Sequence, residues 1–243
     1  DDLKASFPDS YKQLLSLAYF FVLEEGMSAY RLRKWALTHK HSYGRDIPSQ
    51  QISDLMGSID EASKMNFFRR QAKRRAEKEY LAFDTTSISS YSELIKLAKY
   101  GKNKEGNHLP QVNLALLYGE VSRLPVYFRK LTGNTADVSL IRNLMLDIDF
   151  LDMKKLSFVM GRGFYSEKNI NDLMKRHHKF LIGIRCGLKI ARKHLDEIRG
   201  EKMISWENYH DDVGLYAMSF TDEWDYREEQ PRTGKCICDK RRV

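Results

Sequence analysis

The spacing of apolar positions changes character near residue 80 of this chain. Before it, apolar residues recur every three or four positions, the period of helices that bury one face. Leu14, Ala18, Phe21 and Val22, with Glu25 at the polar edge, predict a first helix with Ser10 as its N-cap. Gly26 and Ser28 interrupt it, and a second helix is expected over residues 29–38 with Leu32, Trp35 and Ala36 inward. Pro48 introduces a third over 49–58, carrying Ile52, Leu55 and Met56. In the fourth, Met65, Phe68, Ala72 and Ala76 share one face while Arg69, Arg70, Lys73, Arg74 and Lys78 cover another.

From Tyr80 the runs read as strands. Residues 80–87 form an apolar strand that presents one carboxylate, Asp84, followed by hydroxyl residues. A buried strand over 111–118, a hairpin connection over 119–123 and a return strand over 124–130 complete an antiparallel meander. A helix opening at about Thr135 carries Leu140, Ile141, Leu144, Met145 and Ile148 on its apolar side. A second buried strand, 156–165, runs into a glycine-rich loop; a helix over 166–177 and a strand over 179–185 come next. His177 and His178, beside Lys175 and Arg176, are expected to complement the dipole at that helix end. Farther on, Leu188, Ala191, Leu195 and Ile198 suggest a short helix, and alternation over 213–220 suggests a strand.

If the strand of Asp84 lies parallel beside the strand of Phe158, Asp84 and position 161 face each other. Two carboxylates so placed would hold a divalent cation for phosphoryl transfer. Position 161 is a glycine, Gly161.

Several stretches over about residues 80–185 resemble the DDE transposases of bacterial insertion sequences. They are Phe83-Asp84-Thr85-Thr86-Ser87, Leu109-Pro110-Gln111-Val112, Leu131-Thr132-Gly133-Asn134 and Arg162-Gly163-Phe164-Tyr165-Ser166. The resemblance implies an α/β fold: an RNase H-like mixed sheet preceded by an all-helical N-terminal region and followed by a truncated insertion subdomain. The boundaries expected are 1–78 for a basic DNA-binding region, 79–185 for the catalytic core and 186–243 for the insertion. By the same resemblance Asp84 is the first catalytic, metal-binding carboxylate, and Gly161 stands where the second Asp belongs. The third, a Glu, should lie on a helix seven residues after a Tyr, with an Arg between them three residues after that Tyr. Tyr209, Tyr216 and Tyr226 have Asp212, Ser219 and Glu229 at the Arg position, so the motif is absent. The cofactor implied is Mg2+ or Mn2+, and the partner is double-stranded DNA at terminal inverted repeats, bound by a homodimer in a synaptic complex. Arg69, Arg70, Lys73, Arg74 and Arg162 are the expected DNA contacts.

Composition agrees with such a partner. The 243 residues carry a net charge of +8 and a pI near 9.2, which favours an anionic ligand. Seven Lys or Arg against two Glu concentrate that charge over residues 64–80. Cys186, Cys236 and Cys238 make no even disulfide framework, so a reducing cytoplasm is expected, and no second Cys or His pair comes after Cys236-x-Cys238 to complete a zinc site. The longest apolar run, 14–23, is too short to span a bilayer. The chain starts at Asp1 and stops after Lys240-Arg241-Arg242 at Val243, so both ends are read as cut. With one of three ligands present, the expectation is a polypeptide that neither cleaves nor joins DNA. The alternative to a degenerate transposase is a non-catalytic remnant that still binds DNA.

Overall fold

The computed structural model describes all residues except 76–78, 102–105, 107, 137–138, 200–202 and 230–235. They fall into two units, one of Asp1–Ala76 with Leu151–Met153, the other of Glu77–Phe150 and Lys154–Val243.

The first unit contains α1 (Asp2–Ser6), α2 (Tyr11–Leu23), α3 (Leu32–Ala36), α4 (Ser49–Gly57) and α5 (Glu61–Arg75). Leu17, Phe20, Leu32, Trp35, Ile47 and Ile52 form its core. Helix α2 presents a different face from the one its spacing predicts: Ser16, Leu17 and Phe20 are buried, whereas Phe21 and Val22 are 44% and 79% exposed. The reason is chemical. α2 is apolar on almost every side, and its one small hydroxyl turns inward, where Ser16 Oγ donates to the Lys12 carbonyl and accepts from the Tyr43 amide, 2.8 and 2.9 Å away. The Tyr43 bond, with a 3.0 Å contact from His41 Nδ1 to the same oxygen, ties the 41–43 loop to the helix and sets its rotation. Ser10 occupies the N-cap position of α2, but among the described residues its side chain caps nothing. In α3 and α4 the expected Leu32, Trp35, Ile52 and Leu55 are buried, while Met56 is exposed. In α5, Phe68 and Ala72 point inward as expected; Ala76 lies outside the described residues.

The second unit is built on a five-stranded sheet. Its strands are β1 (Tyr80–Ser89), β2 (Gln111–Gly119), β3 (Pro125–Thr132), β4 (Ser157–Met160) and β5 (Lys179–Ile182), in the order β3-β2-β1-β4-β5. β1, β2 and β3 pair antiparallel, and β4 and β5 add to β1 in parallel. Helix α6 (Leu140–Phe150) separates β3 from β4, and α7 (Glu167–Lys175) separates β4 from β5. An antiparallel meander followed by two parallel strands with intervening helices is the RNase H-like arrangement. The helix expected from Thr135 begins at Leu140, and all five of its predicted apolar residues are buried. Arg129 of β3 fastens it with 2.7 Å bonds to both carboxylate oxygens of Asp147.

Alternation along β1 fixes two faces. Leu81, Phe83, Thr85 and Ser87 point to the covered side, and Asp84, Thr86 and Ile88 to the open one. Beyond the sheet come α8 (Lys189–Ile198), the two-residue strands β6 (Tyr209–His210) and β7 (Leu215–Tyr216), and a hairpin of β8 (Glu223–Glu229) and β9 (Cys236–Arg242). The continuous strand expected over 213–220 is not formed; only Leu215 and Tyr216 pair, with His210 and Tyr209, and all four are exposed. The β8–β9 hairpin rests on α7: Trp224 Nε1 donates to Asn171 at 2.8 Å, and Lys175 pairs with Glu228 at 2.7 Å.

The end of α7 also departs from expectation. His178 turns inward, 8% exposed, with its ring edge-on to Phe158. Its amide bonds the Leu173 carbonyl and that of His177 bonds Met174, while His177 takes a left-handed φ of 56°. This wrapped C-terminus directs the second histidine into the core instead of toward the helix dipole.

Candidate active site

Phe83 lies opposite Met160 in the parallel pairing of β1 and β4, so Asp84 and Gly161 are the next positions in register. Side chains alternate along both strands, which puts positions 84 and 161 on the same open face. Asp84 is exposed there. β4 ends at Met160, whereas β1 continues to Ser89 against β2 alone. The carboxylate therefore sits where the sheet narrows.

The loop after Gly161 is held by one buried ring. Residues Arg162–Phe164 make a single 3-10 turn closed by the Phe164 amide on the Gly161 carbonyl. Phe164 is 1% exposed and packs on Phe83, with ring centroids 5.0 Å apart. Since Phe83 immediately precedes Asp84 on β1, this contact fixes the loop relative to that strand and leaves Arg162 outward, exposed. The turn runs close to Gly183, where a Cβ would stand 3.0 Å from the Arg162 amide nitrogen.

Gly161 has no such reason to be glycine. Its φ of −70° and ψ of 166° are ordinary extended backbone, and among the described residues no atom lies within 4 Å of where its Cβ would be. An aspartate fits that space.

The donors present do not fit a divalent metal pair. Mg2+ takes oxygen ligands in octahedral geometry. Gly161 offers no side-chain oxygen, and among the described residues no group of three or more His, Cys, Asp or Glu is placed to hold one ion. Of the two positions expected to supply carboxylates, 84 and 161, only Asp84 carries one.

The other predicted site residues belong to the helical unit. Arg69, Arg70, Lys73 and Arg74 are all exposed on α5. Arg74 has a structural task as well: with Gln71 it binds the carboxylate of Asp2, at 2.8 and 2.7 Å, and Asp2 is only 8% exposed. Sequence reasoning missed that pairing because its partner lies 72 positions away.

It also missed the buried polar group at the sheet's far end. Asn113 accepts from Ser87 Oγ and donates to the carbonyl of Gly133, to which Gln111 donates too. These bonds hold the turn after β3 against the start of β2. The Leu131-Thr132-Gly133-Asn134 stretch was the available signal, since a Cβ on Gly133 would collide with the Gln111 carbonyl.

Comparison with known proteins gives one family. The family model described as "Transposase DDE domain" matches residues 75–230. No curated protein matches the chain. Among solved structures, the piggyBac transposase synaptic complex with hairpin DNA is similar at 12% identity and a TM-score of 0.48, over 79% of this chain and 45% of that one. The Mos1 transposase paired-end complex with the left transposon end is similar at 11% identity and a TM-score of 0.31, over 76% of this chain and 71% of that one. This chain thus spans less than half the length of the piggyBac chain.

Proposed function

As the chain belongs to the transposase DDE domain family, we propose that it derives from a DNA transposase of a bacterial insertion sequence and has lost its catalysis. The intact parent hydrolyses phosphodiesters at terminal inverted repeats and transfers the strands, using divalent metal. In this reading residues 1–78 bind DNA, 79–185 are the catalytic core and 186–243 belong to an insertion, and a homodimer forms the synaptic complex.

One observation carries the inactive state. Asp84 and Gly161 share a face and a register, and the glycine stands in open space that neither its backbone nor its neighbours require. Since the donors do not fit the metal, no catalytic step is assigned to this chain. Purified protein incubated with Mg2+ or Mn2+ and supercoiled DNA bearing the source element's inverted repeats should leave the DNA intact. Metal-dependent nicking that disappears in Asp84→Ala would overturn the reading.

The exposed basic face of α5 favours a second role, DNA binding without cleavage. Anisotropy of a labelled repeat duplex tests it: binding is expected, and its absence in a folded sample removes this role.

A further inference from the structure

The outward side of the terminal hairpin carries chemistry that DNA transposition does not use. Trp224, Tyr226 and Glu228 of β8 face α7, so alternation turns Cys236 and Cys238 of β9 the other way. Both cysteines are reduced thiols and exposed. Their sulfurs are 3.4 Å apart, in van der Waals contact. Arg227 lies opposite Cys238 in the hairpin register.

Structural zinc takes four donors, and among the described residues no third Cys, His or carboxylate joins these two. The pair can nevertheless react with itself. Two strand residues separate Cα atoms by about 6.4–6.8 Å, the upper end of the span across which disulfides close. A bond made at that limit is strained and easily reduced, the property of a switching rather than a structural disulfide.

We propose that Cys236 and Cys238 form a reversible dithiol–disulfide couple that exchanges with a small disulfide of the glutathione class. One thiolate attacks a sulfur of the reagent, forming a mixed disulfide and releasing one thiol. The second thiolate then attacks the protein sulfur of that mixed disulfide, closing the Cys236–Cys238 bond and releasing the second thiol. The two cysteines lose two electrons and two protons, and the reagent gains both as two thiols. Across the hairpin Arg227 is paired with Cys238 and Glu229 with Cys236, so positive charge is offered to an anionic reagent on the Cys238 side.

The test treats the folded chain with oxidised glutathione, quenches by alkylation and analyses tryptic peptides by mass spectrometry. Cleavage after Lys235 and Lys240 leaves both cysteines on one peptide, 236–240. The expected product is that peptide lacking two hydrogens and restored by dithiothreitol, while Cys186 stops at a mixed disulfide. Because the hairpin holds the sulfurs in contact, closure should be on the order of tenfold faster in the folded chain than in urea. Cys238→Ser should leave Cys236 as a stable mixed disulfide. Two separate mixed disulfides on the 236–240 peptide, or closure no faster than in urea, would overturn the proposal.

Discussion

Asp84 and Gly161 stand side by side on one face of two parallel strands, one step beyond the Phe83–Met160 pair. A carboxylate placed at position 161 would therefore point the same way as Asp84. Gly161→Asp is expected to bind Mn2+ at least about tenfold more tightly than the parent chain, since a second anionic oxygen ligand is added to the site. Calorimetric titration checks this, and Asp84→Asn in the same background should cancel the gain. Stability should change by less than about 1 kcal/mol, because the new side chain enters open space.

On α5 the basic residues divide by what they touch. Charge reversal at Arg70 and Lys73 should weaken duplex binding without unfolding the helical unit. Each phosphate that the protein no longer neutralises makes the negative slope of log affinity against log salt shallower by about 0.9. Arg74→Ala should instead cost stability, about 1 kcal/mol, because it leaves a buried Asp2 carboxylate with fewer donors. Urea unfolding followed by circular dichroism separates the two effects.

His178 makes the sheet unit sensitive to mild acid. Burial, aided by the nearby Arg176 charge, pushes its pKa below the ordinary 6.5, although Asp149 pulls the other way. Its Nδ1 accepts from the Leu156 amide, a bond the protonated ring cannot make. Because the folded pKa is the lower one, the unfolded chain takes up the proton first as pH falls. Stability is therefore full above 6.5 and declines below it until the folded pKa is passed. His178→Asn, which keeps an acceptor near that amide, should flatten the His-dependent part of the slope in urea midpoints measured across this range.

His177→Gly should raise stability by about 1 kcal/mol, because the left-handed backbone at this position crowds a Cβ and suits glycine. A thermal melt shows the gain as a higher midpoint, and an unchanged or lower one would mean that the imidazole makes a compensating contact.

The sheet was legible because each of its strands is an apolar run, and the adjacency of Asp84 and Gly161 emerged once two of those runs were paired. Helix α2 was legible as a helix but not in its orientation, since Leu14, Phe21 and Val22 offer as much apolar surface as Leu17 and Phe20. The face was decided by Ser16 and a loop 25 to 27 residues away. The β8–β9 hairpin offered only a short alternation, Trp224 and Tyr226 between charged residues. Glu223, Asp225 and Arg227 face Arg242, Lys240 and Cys238 across it, and its buried centre is Tyr226 beneath the guanidinium of Arg241, 3.6 Å from the ring centroid. Burial and the Glu228 carboxylate push that phenol to a pKa of about 12. A strand held by two aromatics among ionic neighbours looks, residue by residue, much like a solvated loop.

Strand β5 ends the sheet, and among the described strands none pairs with its outer edge. That edge borders a cleft of about 990 Å³ that also meets α8 and the end of β9, and Leu181 on it is 67% exposed. A short apolar strand with unused backbone donors and acceptors is a template on which another extended chain can grow. Recovery of this protein from denaturant will accordingly fall as its concentration rises: partly folded molecules that meet at β5 polymerise faster than each can close on itself, and dilution or Leu181→Lys restores the yield.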